Sequence, residues 1–295
     1  MTPKTTTEKS PELQPRRYLG LELAGAKNQK TALAALEYYP KEKKIFLLDT
    51  YDKIAAHDEQ TGDDALLEVV HELRGISHGV HMMGVNVPLE LPPCLVCTCT
   101  TSECSTPAAS WMRAFVKESA LKTDRNVRVK EITPYTQRPV ELWVRYKVLE
   151  NLTPELMFEI DEALGGTKAP LTARMSFLKR SLTDLSLVEV WPKLSIASLA
   201  PQLDVSKRAL MSYRHLEEGV HARAELLEAF VEDHGIFIYE RDVKKLTQSL
   251  TAFDAFICAY TALLSDQGRT VKMPKGFPAA TGWVEYPVAP EPSET

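Results

Sequence analysis

The sequence predicts an α/β protein built on a mixed sheet, and three observations carry that prediction. Three apolar runs near the N-terminus are joined by short polar links, which favours antiparallel neighbours. An amphipathic helix then separates them from a fourth apolar run, leaving that strand free to return parallel to the first by a right-handed crossover. The C-terminal third holds a helix that is apolar almost throughout, suited to burial against the sheet.

Residues 1–17 contain no apolar stretch and read as a disordered polar tail, without an export signal. The first strand starts at Tyr18. Leu19, Leu21 and Leu23 point to one side of it, and Tyr18, Gly20, Glu22 and Ala24 to the other. Lys27–Lys30 form a polar turn, Thr31–Tyr39 a second strand, Lys41–Lys44 a hairpin-like link and Ile45–Tyr51 a third strand. A helix follows over Gly62–Arg74, with Thr61 as N-cap and Asp63 and Asp64 at its positive end. The fourth strand runs from Val80 to Val87 and stops at Pro88. An insertion from 89 to about 181 carries a cysteine loop and a helix at Pro107–Leu121, capped by Thr106. Sheet geometry resumes over residues 185–192, where Leu185, Leu187 and Glu189 share a face. Helices are expected at Ser206–Glu217, at His221–His234 ending on Gly235, and at Val243–Ser265. GWVEYP is apolar enough to pack back on the body, and residues 288–295 read as a second disordered tail. The folded part is thus one domain, 18–287.

Composition narrows the function. The chain has 295 residues, 44% hydrophobic and 25% charged, which suffices for a sizeable core. A net charge of −5 argues against a protein coated in basic surface, so any contact with nucleic acid must be confined to a local groove. No run is long enough to span a membrane, and Leu250–Leu264, the most apolar, contains Asp254. Five cysteines without an export signal point to reduced thiols in a cytoplasmic setting. Oligomeric state is left open.

Glu22, Glu189 and Asp254 are isolated acids on elements that otherwise look buried. Burying an unpaired carboxylate is costly, so each must meet a cation, strong donors or a metal. One reading is a core acid neutralised by an arginine or lysine. The other brings all three together, if the two strands are adjacent and the last helix packs on their face. Hard oxygen ligands of that kind suit Mg²⁺ or Mn²⁺, and such ions hydrolyse phosphodiesters with an activated water. Phosphate-gripping candidates are Lys27, Lys30, Arg138, Lys168 and Arg174, each also readable as an ordinary surface charge. Separately, Cys94, Cys97, Cys99 and Cys104 fall within one short loop. Structural zinc, an iron–sulfur cluster, and free or redox-active thiols are all compatible with that spacing. A four-cysteine site has no open position and would not perform the chemistry. Cys258 reads as core packing.

The order of elements resembles the ribonuclease H-like fold. More narrowly, GLELAGAK (20–27), GVNVPLELPP (84–93), PYTQRPVE (134–141), KAPLTAR (168–174), LVEVWPK (187–193), FDAFICAYTA (253–262) and GWVEYP (282–287) resemble an uncharacterised family. It is catalogued as domain of unknown function 429, and its members are described as predicted ribonuclease H-like nucleases. The resemblance implies a metal-dependent nuclease with Glu22 as first-strand acid, Glu189 as later-strand acid and Asp254 as last-helix acid. It departs at Asn86, where such folds usually carry an acid on the fourth strand; an amide binds metal through oxygen but adds no charge. The alternative is a non-catalytic module that binds nucleic acid or protein. A sugar kinase of the related actin-like fold needs two such domains, and this chain has elements for one.

Overall fold

The protein is described from a computed structural model, over residues 14–25, 31–57, 59–76, 78–100, 104, 106–122 and 132–289, without the side chains of 120–122. In chain order the main elements are β1 (Arg16–Glu22), β2 (Ala32–Tyr39), β3 (Lys44–Tyr51), α1 (Gly62–Gly75) and β4 (Met82–Val85). Next come α2 (Pro93–Val96), α3 (Pro107–Lys122), α4 (Pro139–Trp143), α5 (Lys168–Leu178), β5 (Leu187–Val190) and α6 (Pro192–Leu199). The chain continues through α7 (Lys207–Ser212), α8 (Gly219–His234), β6 (Ile236–Phe237), α9 (Glu240–Gln248), α10 (Leu250–Asp266) and β7 (Val284–Glu285).

These strands form one seven-stranded sheet in the order β6-β3-β2-β1-β4-β5-β7. β1, β2 and β3 are antiparallel neighbours, whereas β4 lies parallel to β1, β5 to β4 and β7 to β5. The sheet is therefore mixed, antiparallel first and then parallel, as the link lengths imply. Alternation along β1 sorts its side chains between two cores. Leu19, Leu21 and Leu23 join Met83, Val85, α1 and α5 on one face. Tyr18 joins Ala34, Leu36 and the aromatic stripe of α10 on the other. Helix α1 starts on a reciprocal cap between Thr61 and Asp64, so its N-terminus lies where the sequence puts it.

Several boundaries differ. β1 begins at Arg16, inside the stretch read as tail, because Arg17 is buried and pairs with Glu37 at 2.9 Å while donating to the Leu73 carbonyl. The helix expected over Val243–Ser265 is two helices. Ser249 takes an extended backbone and accepts the Ala252 N–H to cap α10, a break invisible to apolar periodicity. The expected helix at Ser206–Glu217 ends at Ser212. Of the supposed insertion, α5 is a core element, with Met175 and Leu178 buried beside α1. The two-residue strands β6 and β7 are too short to carry a periodic signal. The tails, 1–13 and 290–295, lie outside the described residues.

Helix α10 lies directly on β1 and β4. A Cβ at Gly20 would meet the Ala255 carbonyl and the Ala259 backbone, and one at Gly84 the Cys258 carbonyl. Only glycine allows main chain to approach main chain this closely. We expect Gly20→Ala to cost about 3 kcal/mol or more, at the upper end for an overpacked core, read as a fall in the urea midpoint.

Candidate active site

The parallel pairing of β1 with β4 continues past the strands, where the Asn86 N–H donates to the Leu21 carbonyl at 3.0 Å. This sets Asn86 beside Glu22, and its Nδ2 donates to the Glu22 carboxylate at 2.5 Å. Lys168, at the start of α5, donates through Nζ to the Asn86 carbonyl and Oδ1, at 3.2 and 3.4 Å. The close seating of α10 brings Asp254 into the same neighbourhood. Its carboxylate accepts two hydrogen bonds from Nη1 of Arg214, at 2.9 and 3.1 Å. A cavity of about 230 Å³ opens here, lined by Glu22, Asn86, Lys168, Lys193, Arg214 and Trp191 among others; Asp254 is buried behind Arg214 and is not in the lining.

Asp254 acts on Glu22. Burial, and then the charge of Asp254, push the Glu22 carboxyl up to about 8, against the opposing pull of Lys168 and the Asn86 amide. Asp254 is also raised by burial, which outweighs the attraction of Arg214. The Cys258 thiol, one helical turn along α10, is pushed well up by burial and by both carboxylates. Lys193 is lowered by burial and by the neighbouring Arg214 charge.

Glu189 does not join them. In register it pairs with Val85, and Val85 with Leu21, so it projects from the face opposite Gly20 and Glu22. β4 also separates β5 from β1, whereas the expected convergence required those strands to be adjacent. The Glu189 carboxylate is held by the Arg138 fork at 2.7 and 2.8 Å, by Nε1 of Trp191 at 2.9 Å and by the Leu89 N–H at 3.0 Å. Arg138 is fully buried and also donates to Glu141. Burial pushes Glu141 up to about 7 against the pull of Arg138. This network is saturated and structural, and it removes both Glu189 and Arg138 from the set open to a ligand.

The other expected cations divide. Lys168 lines the cavity. Arg174 is committed to Asp63 and to the Ala24 carbonyl, tying the end of β1 to the start of α1. Lys27 and Lys30 lie outside the described residues. Lys193, Arg214 and Asp161 were not singled out from sequence. Lys193 follows Trp191-Pro192 directly after β5, so strand position could have flagged it, whereas Arg214 sits in a polar turn without a pattern.

Cys94, Cys97 and Cys104 form a second cluster, with sulfurs all within 4.8 Å of one another, close enough to bind a metal. Cys99 adds a side-chain contact to Cys104. Hydrogen bonds from Thr106 lower the Cys104 thiol to about 7, and burial raises that of Cys94 to about 11. Cys258 is buried in the core, apart from this loop. Among the described residues no helix is long and apolar enough to cross a membrane.

The family described as Protein of unknown function (DUF429) matches residues 49–279, well over half of the chain. The chain belongs to that family. The matched span includes Asn86, the cysteine loop, Lys168, Glu189 and Asp254 but begins inside β3, so Glu22 lies outside it. No curated protein and no solved structure matches the chain.

Two outcomes follow from this geometry. A carboxyl raised in the folded state binds its proton more tightly than in the unfolded chain. Its contribution to stability is therefore full below about 4.5 and is lost as pH rises through about 8. Thermal unfolding should show the midpoint falling across that window, and Glu22→Gln should flatten the fall. Separately, Arg138→Met leaves Glu189 and Glu141 buried without their cation and should cost about 3–5 kcal/mol in urea unfolding.

Proposed function

We propose that the cavity is the active site of a metal-dependent nuclease on a ribonuclease H-like fold, with Glu22, Asp254 and Asn86 as the ion-holding residues. The supporting observation is the state of Glu22. Glu189 and Asp254 are each met by an arginine, but among the described residues Glu22 is met by a neutral amide while Lys168 turns to Asn86. A carboxylate placed this way at a cavity lacks a cation in direct contact, and a divalent ion provides one. The donor set fits: two carboxylates and an amide oxygen are hard ligands suited to Mg²⁺ or Mn²⁺, without a histidine or thiol. Two carboxylates suit one ion better than a closely spaced pair.

When bound, the ion supplies an activated water and charge stabilisation for an attacked phosphodiester. The chain's own residues do the rest. Lys168 and Lys193 present positive charge to a phosphate at the cavity mouth, and Phe158 and Trp191 give it an apolar wall. Arg214 covers Asp254, so ion binding there requires the guanidinium to give up that carboxylate, which leaves it available to the phosphate. The confinement of these cations to one cavity agrees with the net charge of −5, since a nucleic-acid end needs only a local patch.

The Arg214–Asp254 pair, with both carboxylate oxygens on Nη1, favours a second reading: a pocket that keeps its ion pair and binds an anionic ligand without catalysis. Incubation with Mn²⁺ and a panel of DNA, RNA and hybrid substrates separates the two. The nuclease reading expects cleavage that falls at least about a hundredfold in Glu22→Gln and in Asp254→Asn, because several kcal/mol of charge stabilisation are removed. Asn86→Asp should tighten Mn²⁺ binding. Cleavage unaffected by Glu22→Gln, or substrate binding without cleavage, overturns it.

A further inference from the structure

We infer that the loop between β4 and α3 is a structural zinc site, with Cys94, Cys97, Cys99 and Cys104 as its four thiolate ligands. This inference is independent of the activity proposed for the cavity. Three of the sulfurs already lie within 4.8 Å of one another. Ligands about 2.3 Å from a tetrahedral Zn²⁺ stand roughly 3.8 Å apart, so closing the set needs side-chain adjustments of about an ångström. Cys99 contacts Cys104 but stands outside the mutually close set of three, so its side chain has further to move to become the fourth ligand.

The surrounding chain has little else to hold it. Leu95 and Val96 are half or more exposed, and from Cys97 onward Cys104 is the buried side chain among the described residues of the loop. The described residues there are threonines and cysteines, which offer little apolar surface to fix the backbone around them. Four thiolates around one ion supply the missing cross-link, and metal binding of this kind is coupled to folding of the segment. The site is anchored on both sides: the Cys94 N–H donates to the Pro134 carbonyl at 3.0 Å, and the Cys104 carbonyl accepts from Arg113 on α3.

The first anchor leads to the cavity. Pro134 precedes Thr136 and Gln137, both of which donate to Glu162 at 2.6 Å. Glu162 directly follows Ile160 and Asp161 in the cavity wall. A metal in the loop would therefore brace that wall from behind. With all four positions filled by sulfur it carries no open coordination site and takes no part in bond making.

The test uses the full chain purified under reducing conditions with no added metal. The expected result is one zinc per chain by elemental analysis, with four sulfurs at about 2.3 Å by X-ray absorption. Exchange for Co²⁺ should give intense visible bands of a tetrahedral thiolate site. Cys99, exposed on the loop, allows the mildest variant, and Cys99→Ser should keep the fold by circular dichroism while weakening zinc retention against a chelator at least tenfold. Brown, iron-containing protein, metal-free folded protein, or a sulfur count below four would each overturn the assignment.

Discussion

The contact on which this structure depends is between main chains. Gly20 on β1 and Gly84 on β4 present no side chain to α10, and the helix rests its Ala255, Cys258 and Ala259 backbone on the sheet. Any larger residue at either position would lift the helix by the thickness of a methyl group or more. Because Asp254 adjoins Ala255, and Glu22 is two residues beyond Gly20 on the same face, this seating decides that the two carboxylates share one electrostatic environment. The glycines pack the core, and the same approach brings together acids that would otherwise avoid each other.

Three acids on apolar elements of one fold meet three different fates, with Glu189 and Asp254 buried and Glu22 at the cavity. Glu189 receives a bidentate arginine, an indole N–H and a main-chain N–H, a full complement of donors. Asp254 receives an arginine that is itself partly open to solvent, so its partner can be exchanged. Glu22 receives an amide. The difference between them lies in what meets each carboxylate. A carboxylate fully compensated inside the fold has no use for an external cation, whereas one compensated by a neutral donor at a cavity does. Residue type therefore says little about role until the partners are known.

The cavity wall and the cysteine loop are connected by hydrogen bonds through Pro134, Thr136, Gln137 and Glu162, in a stretch with little regular structure. Polar links of this kind hold shape only while each member stays in place. Helix α5 secures the opposite side through its buried Met175 and Leu178, and presents Lys168 from its first turn. One wall of the cavity is thus fixed by apolar packing and the other by polar contacts.

The sequence alone determined what depends on periodicity and local chemistry. The alternation in β1, the antiparallel-then-parallel sheet, the Thr61 cap, the stop at Gly235 and the isolation of Glu22 and Asp254 on apolar elements are all legible in it. These signals are set by neighbours a few residues away. Tertiary structure decided what depends on distant partners. It set Glu189 on the opposite face through its register with Val85, placed β4 between its strand and β1, buried Arg138 against it, and brought Lys193 and Arg214 to the cavity. It also split the last helical run at Ser249, where a hydroxyl cap interrupts an apolar pattern that continues through the break. The physical reason is common to these cases: alternation assigns a side chain to a face, but register and strand order decide which face that is and what waits there.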